Sequence, residues 1–376
     1  MKIIHLCSDF DRFHIELSDA LVKVGVDSEV ISYKLRKGVT KEIKGCSHIT
    51  KFESDVVYRR TPLFHLSRIK SAYKKISTEC SLNCDLLHAH MLFTDGFMAW
   101  QFHNDAKVNF IVSIRNSDVN DDILWTIPWL KNNALATLLV SHGIIFLSPH
   151  HKQKLIMRVG EKYSTEIKKK SFVLPNGISN FWEHHRRILP RIRQLKGSDI
   201  RVVCVGEICE NKNQLLLASH LKQFSEKNGY QVFLELAGRV TNPTYFNSVN
   251  SFDFVSYHGF CEEKKLLDIY ADADVFILIS RFETFGLVYP EAMTQALPMI
   301  YTKNQGIDGY FKPGIIGYPI DPSSYIDFEK SLFSILEKYD AISETCLKNS
   351  SVFSWEKVAS KYSDYYNKIV NDLNFS

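Results

Sequence analysis

The stretch Ile200-Arg201-Val202-Val203-Cys204-Val205-Gly206 decides the fold, because a pattern that opens the chain starts again here. An apolar strand pattern first occurs at residues 3–6. In both places, apolar residues spaced three or four apart follow, which is the stripe of an amphipathic helix. Later apolar runs alternate with helical patterns in the same way. Such alternation predicts parallel sheets covered by helices, so we expect two successive α/β units of similar size.

A basic segment over residues 181–197 separates the two units. We predict an N-terminal domain over residues 1–180 and a C-terminal domain over residues 198–354. The aromatic residues of the last segment, 355–372, recur at helical spacing, which predicts a helix that packs back on the first domain. Two such domains facing one another would form a cleft, the usual place for a small-molecule site.

Composition places the chain among ordinary globular proteins, because 45% of its 376 residues are hydrophobic and 23% are charged. The net charge of +4 hides an asymmetry. Residues 1–196 hold 30 Lys and Arg against 19 Asp and Glu, or +11, and the remaining residues hold 16 against 23, or −7. The chain contains no uninterrupted run of 18 apolar residues, so no membrane-spanning helix is predicted. The eight cysteines lack zinc-site spacing, which favours free thiols in a reducing cytoplasm.

The most informative segment is residues 280–293, which follow an apolar strand and lead into a helix. Glu283 and Glu291 lie eight positions apart in it, with Gly286 between them to let the backbone approach a ligand. The amides of residues 285–287 and the helix N-terminus can hold anionic oxygens. The two carboxylates can accept hydrogen bonds from hydroxyl pairs. A sugar nucleotide offers a diphosphate, a ribose and a sugar, and so matches all of these groups.

This segment resembles the Glu-x7-Glu motif of the retaining GT-B glycosyltransferases, especially family 4 of bacterial surface-polysaccharide enzymes. Four more elements look like family motifs in the family's order: a His-x-His strand end, a Pro-Asn-Gly element, a phosphate-binding turn and a base-contacting turn. They occupy residues 85–90, 174–178, 205–213 and 257–260. The resemblance covers nearly the whole chain. It implies the GT-B fold, with two Rossmann-like parallel-sheet domains facing across a cleft.

The resemblance also implies roles for individual residues. The predicted catalytic residues are Glu283, Lys212 and Arg115. The predicted donor-binding residues are Glu291, Phe285, Gly286, Leu287, Gly206, Gly259 and Phe260. The candidates on the acceptor side are His88, His90, Asp118 and Asn176. No metal and no cofactor are expected, and the donor is a nucleotide sugar, with a UDP-sugar slightly favoured. Each residue has an alternative interpretation as an ordinary turn, strand-end or surface residue.

Two positions depart from the family pattern. Glu207 stands where many members have an Arg near the donor phosphates, and its carboxylate would repel a diphosphate. Arg115 stands where many members have a His. A guanidinium is permanently charged and cannot act as a base near neutral pH, so Arg115 is expected instead to clamp a phosphate or a carboxylate of either the donor or the acceptor.

The function implied is transfer, with retention, of a hexose-type sugar to a glycan linked to polyprenyl diphosphate, in bacterial surface-polysaccharide synthesis. A nucleotide-sugar epimerase on the same fold and a non-catalytic carbohydrate-binding protein remain alternatives. We expect a cytoplasmic protein, with attachment to the inner face of the cytoplasmic membrane as an open alternative. A basic segment with interleaved apolar residues favours an anionic membrane partner, although an ordinary amphipathic helix fits equally. That segment contains Arg59, Arg60, Arg68, Lys70, Lys74 and Lys75.

Other partners and reactions are disfavoured. The basic residues are spread out and form no nucleic-acid recognition module, so no nucleic-acid partner is expected. The first strand lacks a following Gly-x-Gly-x-x-Gly, which argues against an NAD-dependent oxidoreductase.

Overall fold

The computed structural model describes residues 1–8, 10–34, 49–53, 62–192 and 199–375. The chain divides into two compact units. Unit 1 consists of Met1–Leu147, His151–Gly177 and Trp355–Ser376, and unit 2 of Ser148–His150 and Ile178–Ser354.

Within its described residues, unit 1 is built on a parallel sheet of seven strands in the order β3-β2-β1-β4-β5-β6-β7. The order reverses direction at β1, so that β1 and β4 are neighbours and their carboxyl ends lie side by side. The strands are β1 Lys2–Cys7, β2 Asp27–Lys34, β3 Ile49–Glu53, β4 Leu86–Ala89, β5 Phe110–Ile114, β6 Gly143–Phe146 and β7 Ser171–Val173.

Helices cover both faces of this sheet, because successive strand residues point to opposite sides. Ile3 and Leu86 join one core, and their neighbours Ile4 and Leu87 join the other. The helices up to the end of β7 are α1 Arg12–Lys23, α2 Pro62–Glu79, α3 Phe97–Ala106, α4 Asn116–Asn120, α5 Asp122–Thr126, α6 Pro128–Val140, α7 Pro149–Val159 and α8 Glu161–Lys169. A π-helical turn, Leu92–Gly96, precedes α3.

The last helix of the chain, α16 (Trp355–Asn374), completes unit 1 by packing against α1. Its apolar and aromatic stripe is buried with Leu17 and Leu21 of α1. The Trp355 indole nitrogen donates to the Glu16 carboxylate at 3.0 Å. A side chain at Gly177 would lie 2.3 Å from the Trp355 ring, so a glycine is required where the chain leaves unit 1.

Among residues 199–375, unit 2 contains a second parallel sheet, of six strands in the order β10-β9-β8-β11-β12-β13. The strands are β8 Asp199–Val205, β9 Gln231–Ala237, β10 Val255–Tyr257, β11 Val275–Leu278, β12 Met299–Thr302 and β13 Gly317–Ile320. The helices are α9 Asn180–His184, α10 Gln214–Asn228, α11 Pro243–Val249, α12 Glu263–Asp272, α13 Val288–Thr294, α14 Tyr325–Glu337 and α15 Tyr339–Ser350, followed by a 3-10 turn at Ser351–Phe353.

The predicted pair of parallel sheets is confirmed, with corrections at the level of single elements. Strands β3, β10 and β13 were not predicted. Pro290 is the third residue of α13, which begins at Val288. Amides in the first turn of a helix have no partner inside the helix, so the missing N–H of Pro290 costs no helical hydrogen bond.

The basic segment is described in part. Arg59, Arg60 and the side chain of Arg68 lie outside the described residues. In the described part of α2, Ile69 and Ile76 are buried in the core of unit 1, and Lys70 and Lys74 are exposed. The apolar stripe of α2 therefore serves the core. Among the described residues, no helix combines the length and the hydropathy needed to cross a membrane.

Candidate active site

Glycines mark the carboxyl ends of three neighbouring strands in unit 2. Gly206 follows β8, Gly238 follows β9, and Gly259 lies two residues after β10. The Gly238 amide donates to the Gly259 carbonyl at 2.8 Å. A side chain at Gly238 would lie 1.8 Å from the Gly206 carbonyl oxygen. The strand ends approach too closely for any larger residue, which leaves their backbone open at this edge of the sheet.

Two of the predicted catalytic residues meet at this edge. The Lys212 ammonium donates to the Glu283 carboxylate at 2.6 Å, and the two side chains are only 19% and 11% exposed. The stem of Lys212 runs over Gly206, where an added side chain would lie 3.5 Å from it. The Ser280 hydroxyl also donates to the Glu283 carboxylate, at 3.4 Å. Lys212, Glu283 and Gly206 therefore form one cluster, although Glu283 lies 71 residues from Lys212 in sequence.

Two residues that sequence patterns did not identify, Asn211 and Gln305, hold Glu283 in place. The Asn211 side chain accepts from the Phe282 amide and donates to the Phe282 carbonyl, both at 3.1 Å. On the other side, the Gln305 side-chain oxygen accepts from the Glu283 amide at 3.0 Å, and the Gly306 amide donates to the Glu283 carbonyl at 3.0 Å. The backbone on both sides of Glu283 is thus fixed. Asn211 and Gln305 are ordinary loop residues, so only the folded structure reveals their role.

Three backbone amides beside Glu283, those of Phe285, Gly286 and Leu287, donate no hydrogen bond among the described residues. We call these unpaired amides the open amides. Gly286 has φ +76°, and an added side chain would lie 2.6 Å from the Tyr289 ring. Successive amides that include a residue of positive φ form a concave surface that favours anionic oxygens. The Phe285 ring is buried against Phe353, which holds this turn to the core of unit 2.

The other predicted donor residues lie farther along the same edge. Glu291 is partly buried in α13, and its charge helps to raise the pKa of the buried Tyr270 hydroxyl, chiefly raised by burial. Leu287 and Phe260 are 38% and 63% exposed. The Arg239 guanidinium lies 4.7 Å from the Phe260 ring, so this exposed ring has one face covered by a cation.

Two acidic residues of unit 2, Glu207 and Asp274, lie at opposite edges of its sheet. Glu207 is exposed, and its backbone carbonyl accepts from the Gln214 side chain at 2.8 Å. The Glu207 side chain is therefore exposed to solvent, at the same edge of the sheet as Lys212. Asp274 accepts from the Arg201 amide at 2.8 Å at the start of β8. This carboxylate ties two strand starts together, at the opposite edge of the sheet from Lys212.

Arg115 is the centre of a second cluster, at the carboxyl edge of the unit 1 sheet. Its guanidinium donates to the His90 carbonyl at 3.2 Å, to the His90 ring nitrogen Nδ1 at 3.1 Å, and to the Asn176 side-chain oxygen at 3.3 Å. The guanidinium carbon lies 4.5 Å from the centre of the Phe13 ring. Three of the predicted unit 1 residues, Arg115, His90 and Asn176, are therefore in direct contact.

These contacts assign the protons of two buried histidines. A guanidinium only donates, so His90 Nδ1 must accept and the His90 proton sits on Nε2. This nitrogen lies 2.9 Å from His5 Nδ1, which therefore accepts in turn. The His5 proton is left on Nε2, a buried nitrogen with no hydrogen-bond partner among the described residues. Burial lowers the pKa of His5 to about 3 and keeps the pKa of His90 well below its usual value, so both rings are neutral.

His88 is bound within the fold. Its two ring nitrogens lie 2.7 Å from the Tyr366 hydroxyl and 2.7 Å from the Ser113 hydroxyl. Two sets of buried residues could each place ligand atoms within 4.8 Å of one another: His5, His88 and His90, and Cys7, His14 and His90. Both nitrogens of His88 and of His90 already have partners, so a metal ion would have to displace these hydrogen bonds.

Two buried carboxyl groups complete this edge. Asp118 accepts from the Arg115 amide at 2.8 Å and from the Leu92 amide at 3.1 Å, while burial raises its pKa to about 6. Asp95, in the π-helical turn, accepts from the Tyr33 hydroxyl at 2.5 Å and the Ser8 amide at 2.9 Å. Burial raises the pKa of Asp95 to about 7, and its second oxygen has no described partner. Local sequence patterns did not point to Asp95.

The raised pKa of Asp95 predicts a loss of stability with rising pH. Between pH 4 and 7 the folded protein keeps a proton that the unfolded chain releases, so the free energy of unfolding falls over this range. We expect it to fall by about 2–3 kcal/mol between pH 5 and 8 because of this group. Urea unfolding at both pH values should show that the free energy of unfolding falls less in Asp95→Asn than in wild type. The fall that remains is expected to come from Asp118, whose pKa is also raised.

The matched control is Asp19→Asn, which removes an exposed carboxylate of the same unit. Asp19→Asn should follow the wild-type pH profile. If Asp95→Asn also follows it, Asp95 does not hold a proton in the folded protein.

Comparison with known proteins identifies part of the chain. The family Glycosyl transferases group 1 matches residues 186–350. A probable sucrose-phosphate synthase of Thermosipho melanesiensis is 24% identical over 208 residues, which cover 52% of this chain and 47% of that protein. Mannosylfructose-phosphate synthase of Agrobacterium fabrum is 26% identical over 184 residues, which cover 45% and 40%. The aligned segments thus span less than half of these two relatives.

The fold is shared over the full length of a solved structure. HepE of Anabaena, crystallised with UDP, is similar with a TM-score of 0.71 and 15% identity, covering 98% of this chain and 100% of that one. The two parallel sheets and their helices match those of the GT-B glycosyltransferase structures. This chain therefore has the GT-B fold, and its residues 186–350 match the glycosyl transferases of group 1.

Proposed function

We propose that this protein is a retaining glycosyltransferase that moves a hexose-type sugar from a nucleotide sugar to an acceptor bound by unit 1. The observation that carries the proposal is the cluster of Lys212, Glu283 and the open amides of residues 285–287 at the carboxyl edge of the unit 2 sheet. It brings a cation from the loop after β8 together with a carboxylate and N–H donors from the loop after β11. A nucleoside diphosphate sugar presents groups complementary to these: a diphosphate for the cation and the N–H donors, and sugar hydroxyls for the carboxylate.

Each group has a role in this proposal. Lys212 and the amides stabilise the negative charge that develops on the departing diphosphate, the kind of electrostatic contribution that usually dominates catalysis. These groups supply the positive potential without requiring a metal. Glu283 accepts from hydroxyls of the donor sugar, and Glu291 accepts from those of the ribose. The donor phosphate receives the proton of the acceptor hydroxyl, so no protein side chain has to act as the base.

The Lys212–Glu283 ion pair makes this arrangement responsive to the donor. The two charges cancel locally, so the site holds no large uncompensated charge before the ligand binds. A diphosphate offers Lys212 a stronger partner, and the sugar hydroxyls offer Glu283 new donors. UDP is the favoured nucleotide, in line with the UDP bound by HepE. Binding of the nucleotide sugar thus replaces the Lys212–Glu283 ion pair with two interactions, one of Lys212 with the diphosphate and one of Glu283 with the sugar hydroxyls.

The acceptor proposed first is a glycan linked to polyprenyl diphosphate, made in bacterial surface-polysaccharide synthesis. The basic first half of the chain favours an acceptor at an anionic membrane surface. A second candidate is a small sugar phosphate. The names of the two curated relatives contain phosphorylated sugars, and the uncompensated cation Arg115 favours an anionic acceptor in either case.

The first experiment identifies the donor. A thermal-shift screen of UDP-, GDP-, ADP- and TDP-sugars on the full chain should show one nucleotide series that raises the melting temperature. Transfer is then measured with lipid-linked glycans and with sugar phosphates, and NMR of the product gives its anomeric configuration. Release of an altered nucleotide sugar without an acceptor would instead identify an epimerase. Inversion at the anomeric carbon would refute the retaining mechanism.

The two glutamates give a direct test of the site. Glu283→Ala and Glu291→Ala should each lower kcat/KM for transfer by about 100-fold or more, because each removes from the protein a charged group that accepts hydrogen bonds from the donor substrate. The control is Glu226→Ala, which removes an exposed carboxylate of unit 2 that lies 3.9 Å from Lys222. It should retain wild-type kinetics. Full activity in either glutamate variant, with the fold intact, would refute the assignment of the site.

Asn211 should act by positioning the Glu283 loop. Asn211→Ala removes both side-chain hydrogen bonds to Phe282, so the loop should become mobile while Lys212 and Glu283 remain. We expect kcat to fall about 10-fold, with a smaller change in the melting temperature than a core substitution causes. Asn211→Asp keeps the acceptor for the Phe282 amide and should recover part of the activity. Equal losses in both variants would argue for a different role.

We expect membrane binding through the described part of the chain to be electrostatic, because the apolar stripe of α2 is buried. Purified protein should sediment with anionic vesicles more than with neutral ones at low salt. Replacing both Lys70 and Lys74 with Gln should weaken this binding, since each lysine near an anionic surface contributes about 1 kcal/mol. Lys222→Gln in unit 2 is the control. Equal binding to both kinds of vesicle would exclude a specific anionic surface.

A further inference from the structure

The arrangement around Arg115 contains an uncompensated cation with unused donors. A guanidinium has five N–H groups, and three of them are used by the two acceptors of His90 and by Asn176. Two N–H groups are left, one on each terminal nitrogen. No other interaction of Arg115 with described residues involves these groups. The cation is therefore only partly satisfied by the fold.

The surroundings of Arg115 do not neutralise it. Its three acceptors are uncharged, because His90 is neutral and the others are a carbonyl and an amide oxygen. Asp11 and Asp118 lie near enough to feel its charge, yet neither forms an ion pair with it in the described part of the chain. Asp118 is turned to backbone amides instead. A partly buried cation without an ionic partner is costly unless a ligand supplies the missing charge.

The orientation of the guanidinium is fixed before any ligand binds. Two hydrogen bonds to one residue, His90, prevent rotation, the Asn176 bond sets the third direction, and Phe13 packs 4.5 Å away. A group that is already ordered loses little entropy on binding. His5 extends this support, because it accepts from His90 and so holds the tautomer that Arg115 requires. His90, Asn176 and His5 therefore fix the direction of the Arg115 guanidinium.

We propose that Arg115 binds a phosphate group of the acceptor substrate through its two unused N–H groups. One N–H on each terminal nitrogen of a planar cation can donate to oxygens of a phosphate, a ligand for which Arg is favoured over Lys. The proposal rests on the proposed function and specifies its acceptor. The shared chemistry is a phosphate oxygen pair, whose source is either a lipid diphosphate or a sugar phosphate.

The first test measures binding without transfer. The full chain is saturated with UDP to occupy the unit 2 site, and inorganic pyrophosphate is then titrated by calorimetry. Wild type should bind pyrophosphate, and Arg115→Gln should bind it at least 10-fold more weakly. Arg158→Gln, which removes an arginine that pairs with Asp122 in the same unit, is the charge-matched control and should bind like wild type. Unchanged pyrophosphate binding in Arg115→Gln would overturn the proposal, whether or not the protein transfers sugars.

The second test compares acceptors with and without their phosphate. Arg115→Gln should raise KM about 10- to 100-fold for the phosphorylated acceptor and leave KM for the dephosphorylated form within twofold. Arg115→Lys keeps the charge but loses the fork, so its KM should lie between the two. The assay runs on a sugar phosphate with its free sugar, and on a polyprenyl-diphosphate glycan with the released glycan. The pair that shows the Arg115-dependent difference identifies the source of the phosphate.

A structural role would give a different result. Equal increases in KM for both members of every pair would show that Arg115 only supports the fold, and would overturn the proposal. A matching loss of UDP affinity in Arg115→Gln would assign Arg115 to the donor and would overturn it too. If no acceptor is used at all, the proposed function fails, and the pyrophosphate titration still decides whether Arg115 binds phosphate. The melting temperature of each variant shows that the folded protein is being compared.

Discussion

Parallel strand pairing is the constraint on which both units depend. In a parallel sheet every strand sends its carboxyl end to the same edge, so residues that follow different strands meet there without any contact in sequence. Lys212 follows β8 and Glu283 follows β11, and they meet at 2.6 Å. In the same way Arg115 follows β5 and His90 follows β4. The two clusters are separate solutions of one geometric rule, each contained within its own unit.

The same rule explains why glycine is required at these edges. Parallel strands converge where their loops begin, and the Gly206 carbonyl lies where a side chain of Gly238 would be. This approach leaves backbone amides and carbonyls as the surface of the site. Polar side chains then enter from the loops, held by other loops rather than by the sheet. Asn211 and Gln305 hold Glu283 in that way, from two directions.

Sequence patterns predicted the features that repeat or that belong to a local motif. The strands that predicted the sheets are buried apolar runs, and the residues of the Glu-x7-Glu segment were identified because they are close together in sequence. Residues that act through distant partners could not be predicted so. Asp95 is a single acidic residue in a short turn, and its raised pKa comes from burial beside Tyr33, 62 residues away. The chain of hydrogen bonds from Arg115 through His90 to His5 forms only when strands β1, β4 and β5 lie side by side.

Burial also resolves the apparent conflict between the net charges of the two halves and the charges of their sites. The first half carries +11, yet at the edge of its sheet burial keeps His5, His88 and His90 neutral and raises the pKa values of two carboxyl groups. Arginine is the one residue type here that burial does not neutralise, because a guanidinium keeps its proton near neutral pH. The second half carries −7, but its site contains a compensated lysine and open amides. The net charge of each half therefore says little about its candidate site, which depends on one cation at the carboxyl edge of the sheet.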